Sequence, residues 1–424
     1  MHYLIVLAVR SAWNRRYTLG FTLLSIALAT SLLVGVERLR HDVRESFSQS
    51  VSGTDLLVGA RASPVQLMLY AVFRIGEATQ NMRWTSAQKL ANHPAVAWSI
   101  PLSLGDSHRG FPVLGTSADY FTHFRYGDRQ PLRMQAGKPF DGIFDAVLGA
   151  EVARKLGYRL GEKIVLAHGG SGLEGAAHAD KPFFVVGILA PTGTPVDRTV
   201  HIPLPGMEAI HLDWQGGAPV PGFSIPPALV RKFDLTPKTI TAQLIGLKQR
   251  GDVFAMQRAI ADDSDEALMG VMPGVTLDQF WELVGQGEQA LLLISWMVAL
   301  VGLGGLVAVI LASLDARRRE LAILRSVGAR PRELLFLLAL EGFSVTVGGI
   351  VVGVALLSAL LVLATPWIAA HYGIALNGLK LSGDDVTSLA ALLGWILLAG
   401  SVASLLPGWR AYRLSLIDGL TPRT

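Results

Sequence analysis

The chain has 424 residues, 51% hydrophobic and 17% charged, with a mean hydropathy of +0.42; that is too apolar for an ordinary soluble enzyme and too polar for membrane spans alone. It has no cysteine, which excludes a disulfide framework and a thiolate metal site. The pI near 9.3 would suit a nucleic-acid binder if the arginines lay on a soluble face, but they gather beside apolar runs, so nucleic acid is not an expected partner.

Crossing about 30 Å of hydrocarbon takes about 20 apolar helical residues. The first such run is Leu19–Val36, LGFTLLSIALATSLLVGV. Arg15 and Arg16 precede it as they would precede a signal peptide. The run is longer than a usual signal core, however, and VERLRHDVRES follows without an A-x-A site, so it is read as a retained anchor. Val36–Gln49 is charged and helical in pattern, which suggests that this span continues outward as a stalk.

The long segment that follows alternates strand-like and helix-like pieces. DLLVGA, AVAWSIPLSL, GFPVLGT, DAVLGA, KIVLA and PFFVVGIL read as strands, and TSAQKLANH and AEVARKLGY as helices. The apolar SPVQLMLYAVF is expected to be a core helix, its alternative being a Met-containing surface for a hydrophobic partner. Pro203–Pro227 is rich in Pro and Gly and reads as a long loop or subdomain boundary. TITAQLIGLK and DVFAMQRAIA then resume the strand and helix pattern, and Thr276–Gln289 leads helically into Ala290–Leu314, the second apolar run. A third run covers Leu334–Ala364, with Glu341 in its first turns at headgroup level and a Gly349/Gly353 GxxxG pair suited to close helix packing. Leu389–Leu406 is the fourth.

Arginine placement sets the expected orientation. Arg10, Arg15 and Arg16 precede the first span, six arginines separate spans two and three, and Arg410, Arg413 and Arg423 follow span four. Between spans three and four stand only Lys380, Asp384 and Asp385. Both termini are therefore expected in the cytoplasm of a bacterium, and the chain as a multi-pass protein of its cytoplasmic (inner) membrane.

The fold class expected is an α-helical membrane protein with four transmembrane helices and a large α+β extracytoplasmic domain inserted between helices 1 and 2. In residues, 1–18 form an N-terminal interfacial helix, 19–36 span one, 37–289 the periplasmic domain with its stalk, 290–314 span two, and 315–333 a cytoplasmic loop. Span three is 334–364, a short periplasmic loop 365–388, span four 389–406 and a cytoplasmic tail 407–424.

The arginine-rich loop is the first candidate site. An arginine at mid-membrane costs roughly 2.5–3.5 kcal/mol on insertion scales, so this loop is assigned to the cytoplasm. Leu321, Leu324 and Val327 share one helical face, Arg325 suits the C-terminal dipole, Gly328 suits a C′ cap and Pro331 restarts the next helix. Its charge alone is equally explained by topology or by a short helix lying on anionic lipid. The second candidate is AHGGSGLEGAAHAD, where His168, His178 and Asp180 can converge on a metal, with His201 and His211 following. No fixed ligand spacing supports that site.

RRRELAILRSVGARPRELLFLLALEG resembles the coupling loop of the MacB/FtsX/LolC-type ABC transporter permease family: Glu320, Leu321, Ile323, Leu324, Arg325, Gly328, Ala329 and Glu341 match its pattern, while Ala322 replaces a frequent Gly. PGWRAYRLSLIDGL resembles the family's closing motif, with Leu416 where Pro is usual, and GTDLLVGARASPVQLMLYAVFRIGEAT resembles an uncharacterised peptide-type branch. The resemblance implies a permease whose coupling helix, with Glu320, Leu321, Leu324, Arg325, Val327, Gly328 and Ala329, docks on a separate cytoplasmic ABC ATPase dimer. ATP and Mg would be bound by that partner, and this chain carries no G-x-x-x-x-G-K-[ST], its Gly137-Lys138 being followed by Pro139. Other implied partners are a second permease copy or paralogue, membrane lipids, and a periplasmic adaptor, lipoprotein or hydrolase. ATP-driven motion would reshape the outer domain to export or extract a substrate. The alternatives are an FtsX-like non-transporting signal transducer and a membrane-anchored metal-binding enzyme, the latter without any acid/base constellation to support it.

Overall fold

The computed structural model describes residues 16–76, 80–168, 177–215, 218–220, 222–316, 330–372 and 383–412. They divide into a helical unit, which takes the chain up to Asp42 and most of it from Gly285 onward, and an α+β unit over Val43–Val284, with which Ile368–Leu376 is grouped.

Ten α-helices are numbered here in chain order: α1 Arg16–Gln49, α2 Pro64–Ala71, α3 Trp84–Ala91, α4 Asp119–His123, α5 Ala150–Leu156, α6 Leu204–His211, α7 Val253–Ala261, α8 Pro273–Ala316, α9 Pro331–Tyr372 and α10 Gly383–Tyr412. In hydrocarbon every backbone polar group must be satisfied within the segment, which is why the apolar runs are helical. Several of their hydroxyls donate to the carbonyl four residues back: Thr22 to Thr18 at 2.9 Å, Ser295 to Leu291 at 2.8 Å, Ser344 to Leu340 at 2.7 Å and Thr346 to Gly342 at 2.8 Å. Arg16–Asp42, Pro273–Val309 and Ala339–Thr365 are long and apolar enough to cross a membrane, and the apolar stretch Leu389–Leu405 in α10 is shorter. The fourth expected span is thus an apolar helix at the short end of what a bilayer needs.

Small residues set the contacts inside this unit. A Cβ on Gly349 would stand 2.6 Å from Ile26, and one on Gly353 would stand 2.5 Å from the Ala27 carbonyl, so α9 meets α1 at closer range than an alanine permits. Gly400 on α10 likewise faces Thr346. Ala29, Leu33, Ala299 and Ile396, from three helices, form a buried cluster beside them. Two expected boundaries move: Arg16–Thr18 belong to α1 rather than to an interfacial helix, and α9 continues to Tyr372 while α10 starts at Gly383, so helix enters the expected 365–388 loop from both sides.

The α+β unit is built on an eleven-stranded mixed sheet, numbered β1 Leu56–Ala60, β2 Val96–His108, β3 Phe111–Thr116, β4 Met134–Gly137, β5 Asp145–Leu148, β6 Lys163–Ile164, β7 Ala167–His168, β8 Phe183–Leu189, β9 Val200–Pro203, β10 Ala242–Leu247 and β11 Leu268–Val271. Their order is β11-β1-β10-β2-β3-β9-β5-β8-β4, with β7 also on β2 and β6 on β8. LLVGA and AQLIGL, largely apolar without alternation, are buried on both faces. Leu57 and Leu244 face a core with Met68, Tyr120 and Trp281, whereas Leu56, Val58 and Ile245 face another with Met82, Met256 and Ile260. A third core packs Phe111, Leu148, Val152, Phe183 and Met207. SPVQLMLYAVF forms α2 with Met68 and Ala71 buried, the core role expected of it.

The stretch Pro203–Pro227 is not the loop expected. It opens with α6 and continues into a short hairpin, Trp214–Gln215 against Ala218–Pro219. Proline is compatible with a helix's first turn, so Pro205 starts α6 rather than breaking it, and Met207, Ala209 and Ile210 bury its inner face.

Candidate metal centre

β2 is long enough to change partners along its length. Its register against β3 shifts between Leu104 and Ser107, with Gly105 at φ 155°, and beyond this irregularity it pairs with the two-residue β7. That pairing puts His168 directly across from Asp106, and His168 Nδ1 lies 3.0 Å from Asp106 Oδ1. The chain returns at Ala177, bridged to Ala167, where the His178 amide donates to the Leu166 carbonyl at 2.8 Å. His211, the last residue of α6, has Nδ1 2.8 Å from the Met207 carbonyl one turn back, so Nδ1 donates there and Nε2 faces Asp106 and His168, as an acceptor when the ring is neutral. This Nε2 is 3.4 Å from His168 Nδ1 and 3.6 Å from Asp106 Oδ1.

One ligand atom from each of Asp106, His168, His178 and His211 lies within 4.8 Å of every other. Trp214 closes one side, its ring centroid 4.1 Å from that of His178. Asp106 and His178 are buried, while the His168 side chain is 41% exposed and gives the cluster a path to solvent. Asp106 Oδ2 and both nitrogens of His178 are buried without a hydrogen-bond partner. Each such group costs roughly 1–3 kcal/mol, so the cluster is expensive unless something binds it.

Burial and the facing His211 push His178 down to about 4, which keeps its ring neutral and its lone pair free. Burial works to raise the Asp106 carboxyl, but the hydrogen bond and charge of the facing His211 outweigh it and hold the carboxyl below its ordinary value. For His211 the signs reverse: burial lowers it, contact with Asp106 and the Met207 carbonyl raises it, and the net direction is upward. A neutral imidazole, a carboxylate and an imidazole oriented by a carbonyl behind it are what metal ligation by nitrogen and oxygen requires.

Two of the three metal candidates from the sequence, His168 and His178, therefore come together, and Asp180 does not. Its carboxylate takes Lys181 Nζ at 2.7 Å and the Ser224 hydroxyl at 3.3 Å. Lys181, fully buried, is held chiefly by both oxygens of Asp213 at 2.7 and 2.6 Å, and Asp213 also accepts the Ile225 amide at 2.9 Å. This clasp fixes the loop behind His178. His201 is separate, buried on β9 with Nδ1 3.2 Å from the Val147 carbonyl and its ring against Tyr120. Sequence reading missed Asp106: only the β2–β7 pairing joins it to a histidine 62 residues away.

The coupling residues Glu320, Leu321, Leu324, Arg325, Val327, Gly328 and Ala329 lie outside the described residues. Glu341 is half-buried on α9, and Gly349 and Gly353 stand at the α1 contact described above.

Two family models match the chain: FtsX-like permease C-terminal over residues 292–416, and MacB-like periplasmic core domain over residues 19–244. Among solved structures, the periplasmic region of MacB from Actinobacillus actinomycetemcomitans is 11% identical, covers 55% of this chain and 95% of its own, and has a TM-score of 0.33. The extracellular domain of the noncanonic ABC-type transporter YknZ from Gram-positive bacteria is 12% identical, covers 51% and 99%, and has a TM-score of 0.29. No curated protein matches. The second family model alone spans more than half of the chain and the first follows it without overlap, so this protein belongs to the MacB/FtsX-type ABC transporter permease family.

Proposed function

We propose that this permease transmits ATP-driven motion from a separate cytoplasmic ATPase to its outer domain, for export or extraction of a substrate. In this reading four helices cross the cytoplasmic membrane with both termini inside. The observation that carries it is the form of α1 and α8. Each is one unbroken helix, of 34 and 44 residues, that begins or ends as an apolar run and is charged and polar in its other part. A helix without a proline or bulge resists bending and carries displacement along its axis. At their outer ends the two helices are clamped together: Phe47 lies 6.0 Å from Phe280 and 5.6 Å from Trp281 between ring centroids, and 4.4 Å from Phe73 of the outer core. Arg44 and Asp278 face each other at 3.6 Å beside them. In this reading displacement of the two helices reaches the outer core through this aromatic knot.

The input is assigned to Glu320, Leu321, Leu324, Arg325, Val327, Gly328 and Ala329, where the resemblance places the docking helix. Truncating an interface anchor commonly costs about 1–2 kcal/mol or more, so Leu324→Asp should abolish co-purification of the ATPase while leaving the chain inserted and its outer domain folded. Full ATPase recovery with Leu324→Asp, together with loss on reversing the charges of Arg317–Arg319, would indicate lipid binding instead and sink the docking role.

A further inference from the structure

We propose that Asp106, His168, His178 and His211 form a four-ligand Zn2+ site in the outer domain. The four donor atoms converge from separate stretches of chain, the irregular end of β2, the strand β7, the turn after Ala177 and the last residue of α6. In a tetrahedral site with ligands at about 2.0–2.1 Å, neighbouring donors stand roughly 3.3 Å apart. The contacts of His168 Nδ1 with Asp106 Oδ1 at 3.0 Å and with His211 Nε2 at 3.4 Å, and of His211 Nε2 with Asp106 Oδ1 at 3.6 Å, bracket that spacing. The remaining separations, all within 4.8 Å, close by small side-chain rotation.

Three further observations point to a bound cation. His178 is completely buried, yet neither of its nitrogens has a hydrogen-bond partner, and Asp106 Oδ2 is equally unpartnered. His211 is oriented through its other nitrogen by the Met207 carbonyl, the outer-shell arrangement that fixes a metal-binding tautomer. Trp214 and the buried Lys181–Asp213 clasp brace the loop carrying His178. A set of three imidazoles and one carboxylate selects a first-row divalent ion of the Zn2+ class over Mg2+ or Ca2+, which take oxygen ligands. Four protein ligands fill the tetrahedron and leave no position for a reacting water, so the ion is a fastener and not a hydrolytic centre. It ties the C-terminus of α6 to the irregular end of β2.

The test uses the full chain in detergent, purified without a polyhistidine tag, stripped with a chelator and titrated with Zn2+ against a chromophoric competitor. One Zn2+ per chain is expected. His178→Phe, which keeps the ring's bulk against Trp214, and His211→Gln should each weaken binding by more than the roughly 10- to 100-fold that loss of an outer-shell partner costs. His93→Ala, at an exposed histidine elsewhere, should leave binding unchanged. Co2+ in place of Zn2+ should give the intense visible absorption of a tetrahedral site in the wild type and lose it in both variants. The absence of stoichiometric Zn2+ binding by the wild-type chain, an octahedral Co2+ spectrum, or undiminished affinity in folded His178→Phe would each overturn the site. The wild-type measurements decide the matter even if a variant fails to fold.

Discussion

The outer α+β unit and the helical unit solve the same problem, the burial of polar backbone, in opposite solvents. In the outer unit the apolar side chains point inward from both faces of one sheet, and buried polar groups gather in clusters such as Lys181 with Asp213 and Asp180. In the helical unit large apolar side chains such as Val301 and Leu363 point outward, glycines such as Gly349 and Gly353 make the closest interhelical contacts, and hydroxyls such as that of Thr346 donate within their own helix. Water rewards the burial of apolar area, so a sheet domain can hold expensive polar clusters against it. Lipid gives no such reward, and close backbone approach does the work instead. Loss of a buried polar partner should therefore hurt most in the outer unit, while in the helical unit the sensitive positions are the glycines at helix contacts.

The largest effect is expected for Asp213→Ala. It leaves the fully buried Lys181 ammonium facing only the half-exposed Asp180, and removing one partner of a buried pair costs about 3–5 kcal/mol. Chemical denaturation of the outer domain, followed by tryptophan fluorescence in the intact chain, measures it. An unchanged midpoint would mean that the clasp does not hold the outer unit.

Next comes acid sensitivity from His201. Burial, and then the nearby Arg74 charge, push its pKa down to about 3, against an ordinary 6.5, and Tyr120, Phe121 and the Val147 carbonyl surround it. The unfolded state takes up this proton first. The contribution to stability is therefore complete above pH 6.5, falls as pH drops below it and is gone near pH 3, which amounts to about 2 kcal/mol by pH 5. His201→Phe should flatten the decline between pH 6.5 and 5. A variant curve parallel to the wild type would assign that acid sensitivity to other groups.

The smallest effect separates two glycines of the helical unit. A methyl group on Gly353 would strike the Ala27 carbonyl and Thr30, whereas one on Gly304 meets nothing within 4 Å. Overpacking costs about 1–3 kcal/mol and alanine recovers up to about 1 through helix propensity, so Gly353→Ala should lose about 1 kcal/mol while Gly304→Ala is neutral or stabilising. Thermal melting of the detergent-solubilised chain compares them, and equal melting temperatures would deny the α1–α9 contact its role.

Much of the architecture was legible in the residues. Period and length alone identified the apolar helices, the continuous α1 stalk and the strands DLLVGA, GFPVLGT and PFFVVGIL, because these signals are local. Pro203–Pro227 misled for an equally local reason: proline and glycine were read as breakers, when Pro205 occupies a helix's first turn and Gly206 is required by the close approach of the Ile143 carbonyl.

By itself, then, the sequence determined where the chain meets lipid and where it builds a sheet, since hydrophobic periodicity is written in neighbouring residues. It also determined that Gly349 and Gly353 share one helix face. Only the tertiary structure decided what that face meets, and only it decided the histidine cluster. Asp106 and His168 become neighbours through a two-residue strand pairing, His211 joins them because α6 ends beside them, and Asp180 leaves because a buried lysine claims its carboxylate. Side chains brought together from distant stretches carry no spacing signal, and which partner a carboxylate takes is settled by what the folded chain brings within reach, as Lys181 is brought to Asp180.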